Sequence, residues 1–158
     1  MEKDQRDLLR VFNERKVKYR IVGGYAVSYF TEPRVTKDLG IFIDTSDENV
    51  AIVYAALAVF GAPLAGMTPK DFQDPAWGYQ IGQPPSRIDI LQELTAVDFE
   101  SAWKAGEDGL MDDDIPVRYI SVEDLIKNKL ALGRNRDLAD VEAILESEAA
   151  NSKQPDKN

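Results

Sequence analysis

The chain contains no cysteine and no histidine. That excludes thiol catalysis, zinc sites built on Cys or His, Ser-His-Asp triads and imidazole acid–base work. Any chemistry falls to Asp, Glu, Lys, Arg, Ser, Thr or Tyr. Positive charge is also scarce: 19 Lys and Arg stand against 28 Asp and Glu, a formal net charge of −9. A general nucleic-acid coat protein needs clustered cations to neutralise phosphates, so this balance argues against one and leaves only a local basic patch. Long hydrophobic runs are missing as well. The longest nearly apolar stretch, Val50 to Leu64, is too short to span a bilayer, and the charged opening MEKDQRD has no signal-peptide pattern. The expectation is a cytoplasmic protein with no membrane contact.

What is present is an ordinary globular mixture, 44% hydrophobic and 30% charged over 158 residues. One domain over residues 1–147 fits that length, and the polar stretch 148–158 reads as a disordered tail. Leu8, Leu9 and Phe12 recur at helical spacing and predict a helix over about 4–15. Val17, Tyr19 and Ile21 alternate with Lys18 and Arg20, a strand that runs into Gly23 and Gly24. A helix from Tyr25 to Phe30 follows and ends before Pro33. DLGIFID, from Asp38 to Asp44, reads as a second strand, and Asp47 to Phe60 as an apolar helix stopped by Gly61. Residues 62–86 hold five of the eight prolines and read mostly as loop, with room for a short strand at 79–81. SRIDIL predicts a third strand, Phe99 to Ala105 a helical turn, Asp112 to Asp114 a hairpin or loop, and IPVRYI a fourth strand. Ser121, with Asp124 three positions on, predicts a capped helix to Leu132 that Gly133 stops. A last helix carries Leu138, Val141, Ile144 and Leu145. The fold class is therefore α/β or α+β, with a short mixed sheet flanked by helices.

Strands project side chains with period two, so Asp38, Gly40 and Phe42 share one face while Leu39, Ile41 and Ile43 share the other. An acid on such a strand is costly unless paired or metal-bound; the plain alternative is a solvated acid at a strand end. Asp89 recurs the same way, opposite the inward Ile88 and Ile90 and on the side of Arg87. Neighbouring strands lie about 5 Å apart, so Asp38 and Asp89 can converge on one divalent cation. Oxygen ligands select Mg2+ or Mn2+. A purely structural Arg87–Asp89 contact is the competing reading.

Three segments, taken in order, carry a resemblance. IVGGYAVSYFTEPRVTKDLGIFID resembles the opening of small bacterial nucleotidyltransferase-like proteins, including toxin-antitoxin nucleotidyltransferases, of the DNA polymerase β superfamily. PPSRIDIL resembles the strand with that family's third acid, and LIKNKLALGRNRDLADVEAI its closing helical signature. The resemblance implies a polymerase-β-type nucleotidyltransferase fold. It also implies that Gly23 and Gly24 open a helix whose N-terminus holds the NTP triphosphate, as free amides there allow. Asp38 matches the first acid of a D-x-D pair and Asp89 the third; in the family these acids hold two metal ions. Lys129 matches a triphosphate-binding lysine. Asp137 matches a residue of the active-site rim that orients Lys129 or Arg136, while Asp140 reads as structural. Lys37, with Arg34, Lys127, Arg134 and Arg136, supplies local positive field for the NTP.

Position 40 departs from the pattern. Glycine cannot ligate a cation through a side chain, and Asp44 lies about 20 Å farther along the strand. Losing even an outer partner of a metal site commonly costs about 10- to 100-fold in affinity or activity. Three readings follow: a degenerate enzyme, an active enzyme using one principal metal or another ligand, or a residue changed from the natural one. The leading function is transfer of a nucleoside monophosphate from an NTP to an acceptor hydroxyl on RNA, such as a tRNA end, or on protein; the resemblance also suggests an antitoxin partner. The alternatives are a nucleotide- or partner-binding protein of the same fold without catalysis, and an acidic interaction domain that matches the motifs by accident.

Overall fold

Six short strands build a single mixed sheet, seen in a computed structural model that describes residues 1–32, 36 and 38–152. The strands are β1 (Tyr19–Val22), β2 (Leu39–Ile43), β3 (Tyr79–Ile81), β4 (Ile88–Leu91), β5 (Glu107–Met111) and β6 (Ile115–Tyr119), in the spatial order β3-β4-β2-β1-β6-β5. β1 is antiparallel to β2 and parallel to β6, and β2 is parallel to β4. β3 and β5 are antiparallel edges on β4 and β6. The class is thus mixed α and β, as the strand and helix patterns predict.

One sheet face is the closed core. Tyr19, Ile21, Ile41, Ile43, Ile88 and Ile90 are all buried there. Helix α1 (Lys3–Glu14) turns Leu8, Leu9 and Phe12 inward, and the Phe12 ring meets Tyr19 at 6.0 Å between centroids. Helix α3 (Asp47–Phe60) packs beside α1 with Val50, Val53, Ala56 and Leu57 buried. Its Ser46 hydroxyl accepts from the Asn49 amide at 3.2 Å, and Gly61 ends it in the left-handed region. Helix α2 (Gly23–Phe30) starts directly at the end of β1. Helices α5 (Val122–Leu132) and α6 (Asn135–Ser152) pack on each other and on α2. The Ser121 hydroxyl caps α5 through the Asp124 amide at 3.1 Å.

The opposite face is only partly covered. Helix α4 (Phe99–Ala105) lays Phe99 against Phe42 at 5.1 Å and Trp103 against Arg20. It therefore covers the Phe42 end and leaves the Gly40 end of that face accessible.

Three details differ from expectation. β5 has the sequence EDGLM, which lacks apolar alternation because an edge strand faces solvent on most sides; only Met111 of it is buried. It closes on β6 through the three residues Asp112 to Asp114, of which Asp112 and Asp113 have positive φ. A short 3-10 helix, Pro69–Gln73, sits in the proline-rich segment and buries Phe72 against Trp77 and Tyr79. Finally, α6 continues to Ser152, past the start assigned to the tail, while Leu138 and Leu145 point outward and Val141 and Ile144 inward. Among the described residues, no helix is long and apolar enough to cross a membrane.

Candidate functional site

The register of three strands assembles the site. Val22 of β1 pairs with Gly40 of β2, and Gly40 pairs on its other side with Asp89 of β4. Leu39 pairs with Ile88, and the Leu39 amide donates to the Arg87 carbonyl at 3.0 Å, so Asp38 lies beside Arg87. Paired residues share a face. Asp38, Gly40, Arg87 and Asp89 therefore lie together on the accessible face, at the end where Gly23 opens α2.

Arg87 is the centre of this group. Its Nη2 donates to Asp38 Oδ2 at 2.7 Å, and its Nε lies 3.5 Å from Asp89 Oδ1. The contact weighed from sequence as a structural alternative is present, and it reaches Asp38 as well. Even so, Oδ1 of Asp38 and Oδ1 of Asp89 are both buried without a hydrogen-bond partner. Burial pushes the Asp89 carboxyl above its ordinary range; Arg87 opposes the shift and the charge of Asp38 adds to it. Side-chain exposures of 29% for Asp38 and 19% for Asp89 leave both carboxylates within reach of a ligand from the open side.

The two glycines divide their roles. Gly23 opens α2 with φ +67° and open space where a Cβ would stand. A Cβ on Gly24 would lie 2.7 Å from the Thr36 methyl, so that glycine admits the chain that leads into Asp38. Thr36 is held further by Ser28, whose hydroxyl lies 3.2 Å from its own, and Tyr25 OH lies 3.5 Å from its carbonyl. A cavity of about 490 Å³ opens beside Thr36, lined by Tyr25, Ser28, Tyr29, Tyr119 and Pro85 among others.

Sequence reasoning missed Gln5. Fully buried, it donates from Nε2 to the carbonyls of Pro85 and Arg87 and accepts at Oε1 from Tyr25 OH. It thus fixes the entry of β4, and with it Arg87, against α1 and α2. Its place among polar residues of an amphipathic helix gives no signal; only its position on the Leu8–Phe12 face hints at burial.

Lys129 and Asp137 form a separate cluster at the α5–α6 junction. Lys129 Nζ lies 3.4 Å from Asp137 Oδ1 and 3.1 Å from Asp140 Oδ2, and is 8% exposed. Asp137 also accepts from Arg134 Nε at 2.6 Å and from the Arg134 amide. The Arg134 bond, with Lys129 behind it, holds the Asp137 carboxyl below its usual range. Asp137 thus meets Lys129 and Arg134, not the exposed Arg136, and Asp140 shares the same lysine. The cluster ties α5 to α6, and both pack on α2. Lys37 and Arg34 lie outside the described residues.

The donor set decides what cation fits. Among the described residues no group of three or more Asp or Glu side chains gathers around a point, and Gly40 adds nothing, so a two-ion centre does not fit. Asp38 and Asp89 are two acids on one face that a single hard cation could share, with Arg87 bonded to the first and 3.5 Å from Oδ1 of the second. No protein-family model matches the chain, and no curated protein matches it.

Proposed function

We propose that this protein is a nucleotidyltransferase of the polymerase β type that transfers a nucleoside monophosphate from an NTP to an acceptor hydroxyl, using one principal Mg2+ or Mn2+ at Asp38 and Asp89. The observation that carries the reading is the Asp38–Asp89 acid pair, set on one face beside the opening of α2, with Oδ1 of Asp38 lacking a hydrogen-bond partner. A bound divalent ion would neutralise phosphate charge and polarise the reacting phosphoryl group. Asp38 and Asp89 hold that charge in place. Asp89, whose carboxyl burial raises, accepts the proton of the acceptor hydroxyl. The Gly23 amide, at a helix N-terminus, binds a phosphate oxygen. Lys129 and Asp137 hold the helices behind α2 in position.

A second reading has its own observation. Arg87 already places a cation between the two acids, and Gly40 removes a ligand, as expected of a site that binds nucleotide or a partner without chemistry. Calorimetric titration with ATP, CTP, GTP and UTP, with and without Mg2+ or Mn2+, separates the two. Metal-dependent binding with pyrophosphate release supports the enzyme; metal-independent binding without release supports the second reading.

A further inference from the structure

Asp89 is paired on both sides, and only one of its two partners carries a side chain. Gly40 of β2 is the bare one. The other is Gln80, the middle residue of the edge strand β3. Cross-strand partners share a face, with Cβ atoms about 5 Å apart. Gln80 therefore joins Asp38, Arg87 and Asp89 on the accessible face. It is exposed, and its side chain hydrogen-bonds the Asp89 carboxylate.

β3 does not need Gln80 to hold its own place, because the residues on either side of it turn to the core face. Tyr79 is buried, its ring meets Phe72 at 5.4 Å, and its OH donates to the Pro63 carbonyl at 2.8 Å. Ile81 packs against the core as well. Asp89, by contrast, is loosely restrained. The missing side chain at Gly40 leaves it room to swing toward β2, and Arg87 Nε stands 3.5 Å from its Oδ1 while Nη2 of the same guanidinium is committed to Asp38. A carboxylate free to rotate must be ordered when a cation binds, which subtracts from affinity. Carboxylates that ligate metals are accordingly held by hydrogen bonds from residues outside the ligand set.

We infer that Gln80 is a positioning residue: from the edge strand, its carboxamide holds the Asp89 carboxylate in the orientation that a divalent cation shared with Asp38 requires. Gln80 does not itself reach that cation. β3 lies two strands from β2, about 10 Å, with Asp89 between them. Its effect therefore passes through Asp89. The inference rests on the reading of Asp38 and Asp89 as a cation site, and it names the residue that steadies the second acid where Gly40 offers no support.

The test is titration of the full chain with Mn2+ alone, followed by calorimetry and by the paramagnetic signal of free Mn2+, with folding of each variant checked by thermal melting in EDTA. Gln80→Met keeps the length of the side chain and removes both donors. It is expected to weaken Mn2+ binding at least about tenfold, with melting in EDTA unchanged. Added to Asp89→Asn the same substitution should cost nothing further, whereas added to Asp38→Asn it should cost as much as in the native chain. A second readout needs no metal: the assigned side-chain NH2 signals of Gln80 in the nuclear magnetic resonance spectrum should move in Asp89→Asn. Equal or tighter Mn2+ binding by Gln80→Met overturns the inference. So does an undiminished loss in the Asp89→Asn background, or NH2 signals that ignore Asp89→Asn. Mn2+ binding that Asp38→Asn abolishes and Gln80→Met leaves intact refutes this inference alone; no Mn2+ binding by the native chain refutes the cation-site reading, and this inference with it.

Discussion

Gly40 stands directly opposite Asp89 in the parallel ladder of β2 and β4, with no side chain to share the accessible face with it. A Cβ at position 40 would lie 3.2 Å from Val22 Cγ2, so an aspartate fits once that methyl gives by a few tenths of an ångström. Gly40→Asp is therefore expected to fold and to bind Mg2+ or Mn2+ at least about tenfold more tightly than the native chain. Calorimetric titration with each metal measures this.

Arg87 holds two acids that a cation could otherwise hold. Arg87→Gln leaves Asp38 Oδ2 without its 2.7 Å partner and is expected to destabilise the fold by about 1–3 kcal/mol. Added Mg2+ or Mn2+ should recover part of that loss, giving a larger rise in melting temperature for the variant than for the native chain. Denaturant unfolding and melting curves with and without metal check both parts. Equal metal responses would show that the two carboxylates do not form a cation site.

The strands and helices were mostly legible because the core is periodic: Tyr19 and Ile21, Ile41 and Ile43, and Ile88 and Ile90 announce their faces in the sequence. β5 was not, since an edge strand buries little and EDGLM carries no alternation. Within the candidate site, Asp38 and Asp89 stood out as acids on apolar strands. Arg87 could not be linked to Asp38 from sequence, because that contact depends on the β2–β4 register across 49 positions. Gln5 was hidden for the same reason: the two carbonyls it donates to lie 80 and 82 residues away.

Gln5 provides a test of how the site is held. Gln5→Leu removes donors from the Pro85 and Arg87 carbonyls inside the protein and is expected to cost about 1–3 kcal/mol for each carbonyl left unpaired. Urea denaturation measures the loss. A variant as stable as the native chain would remove Gln5 from the account of how β4 is anchored.

Asp137 makes a pH-dependent contribution. Its carboxyl is held below the ordinary value by Arg134 and Lys129, so its stabilisation is fully present above the unfolded carboxylate value of about 3.9. It is lost as pH falls through the lower folded value. Asp137→Asn is expected to be less stable than the native chain at neutral pH, by about 1.5–3 kcal/mol, with the difference closing in acid. Unfolding curves across that range decide it.

The central claim is that Asp38 and Asp89 serve nucleotidyl transfer despite Gly40. Its most direct test is incubation of the native chain, Asp38→Asn, Asp89→Asn and Gly40→Asp with α-labelled NTPs, Mg2+ or Mn2+ and bulk tRNA, followed by measurement of label on the acceptor. The account predicts label with the native chain, at least about a hundredfold less with either Asn variant, and at least about tenfold more with Gly40→Asp. No label from the native chain, with the four NTPs and both metals, would contradict it.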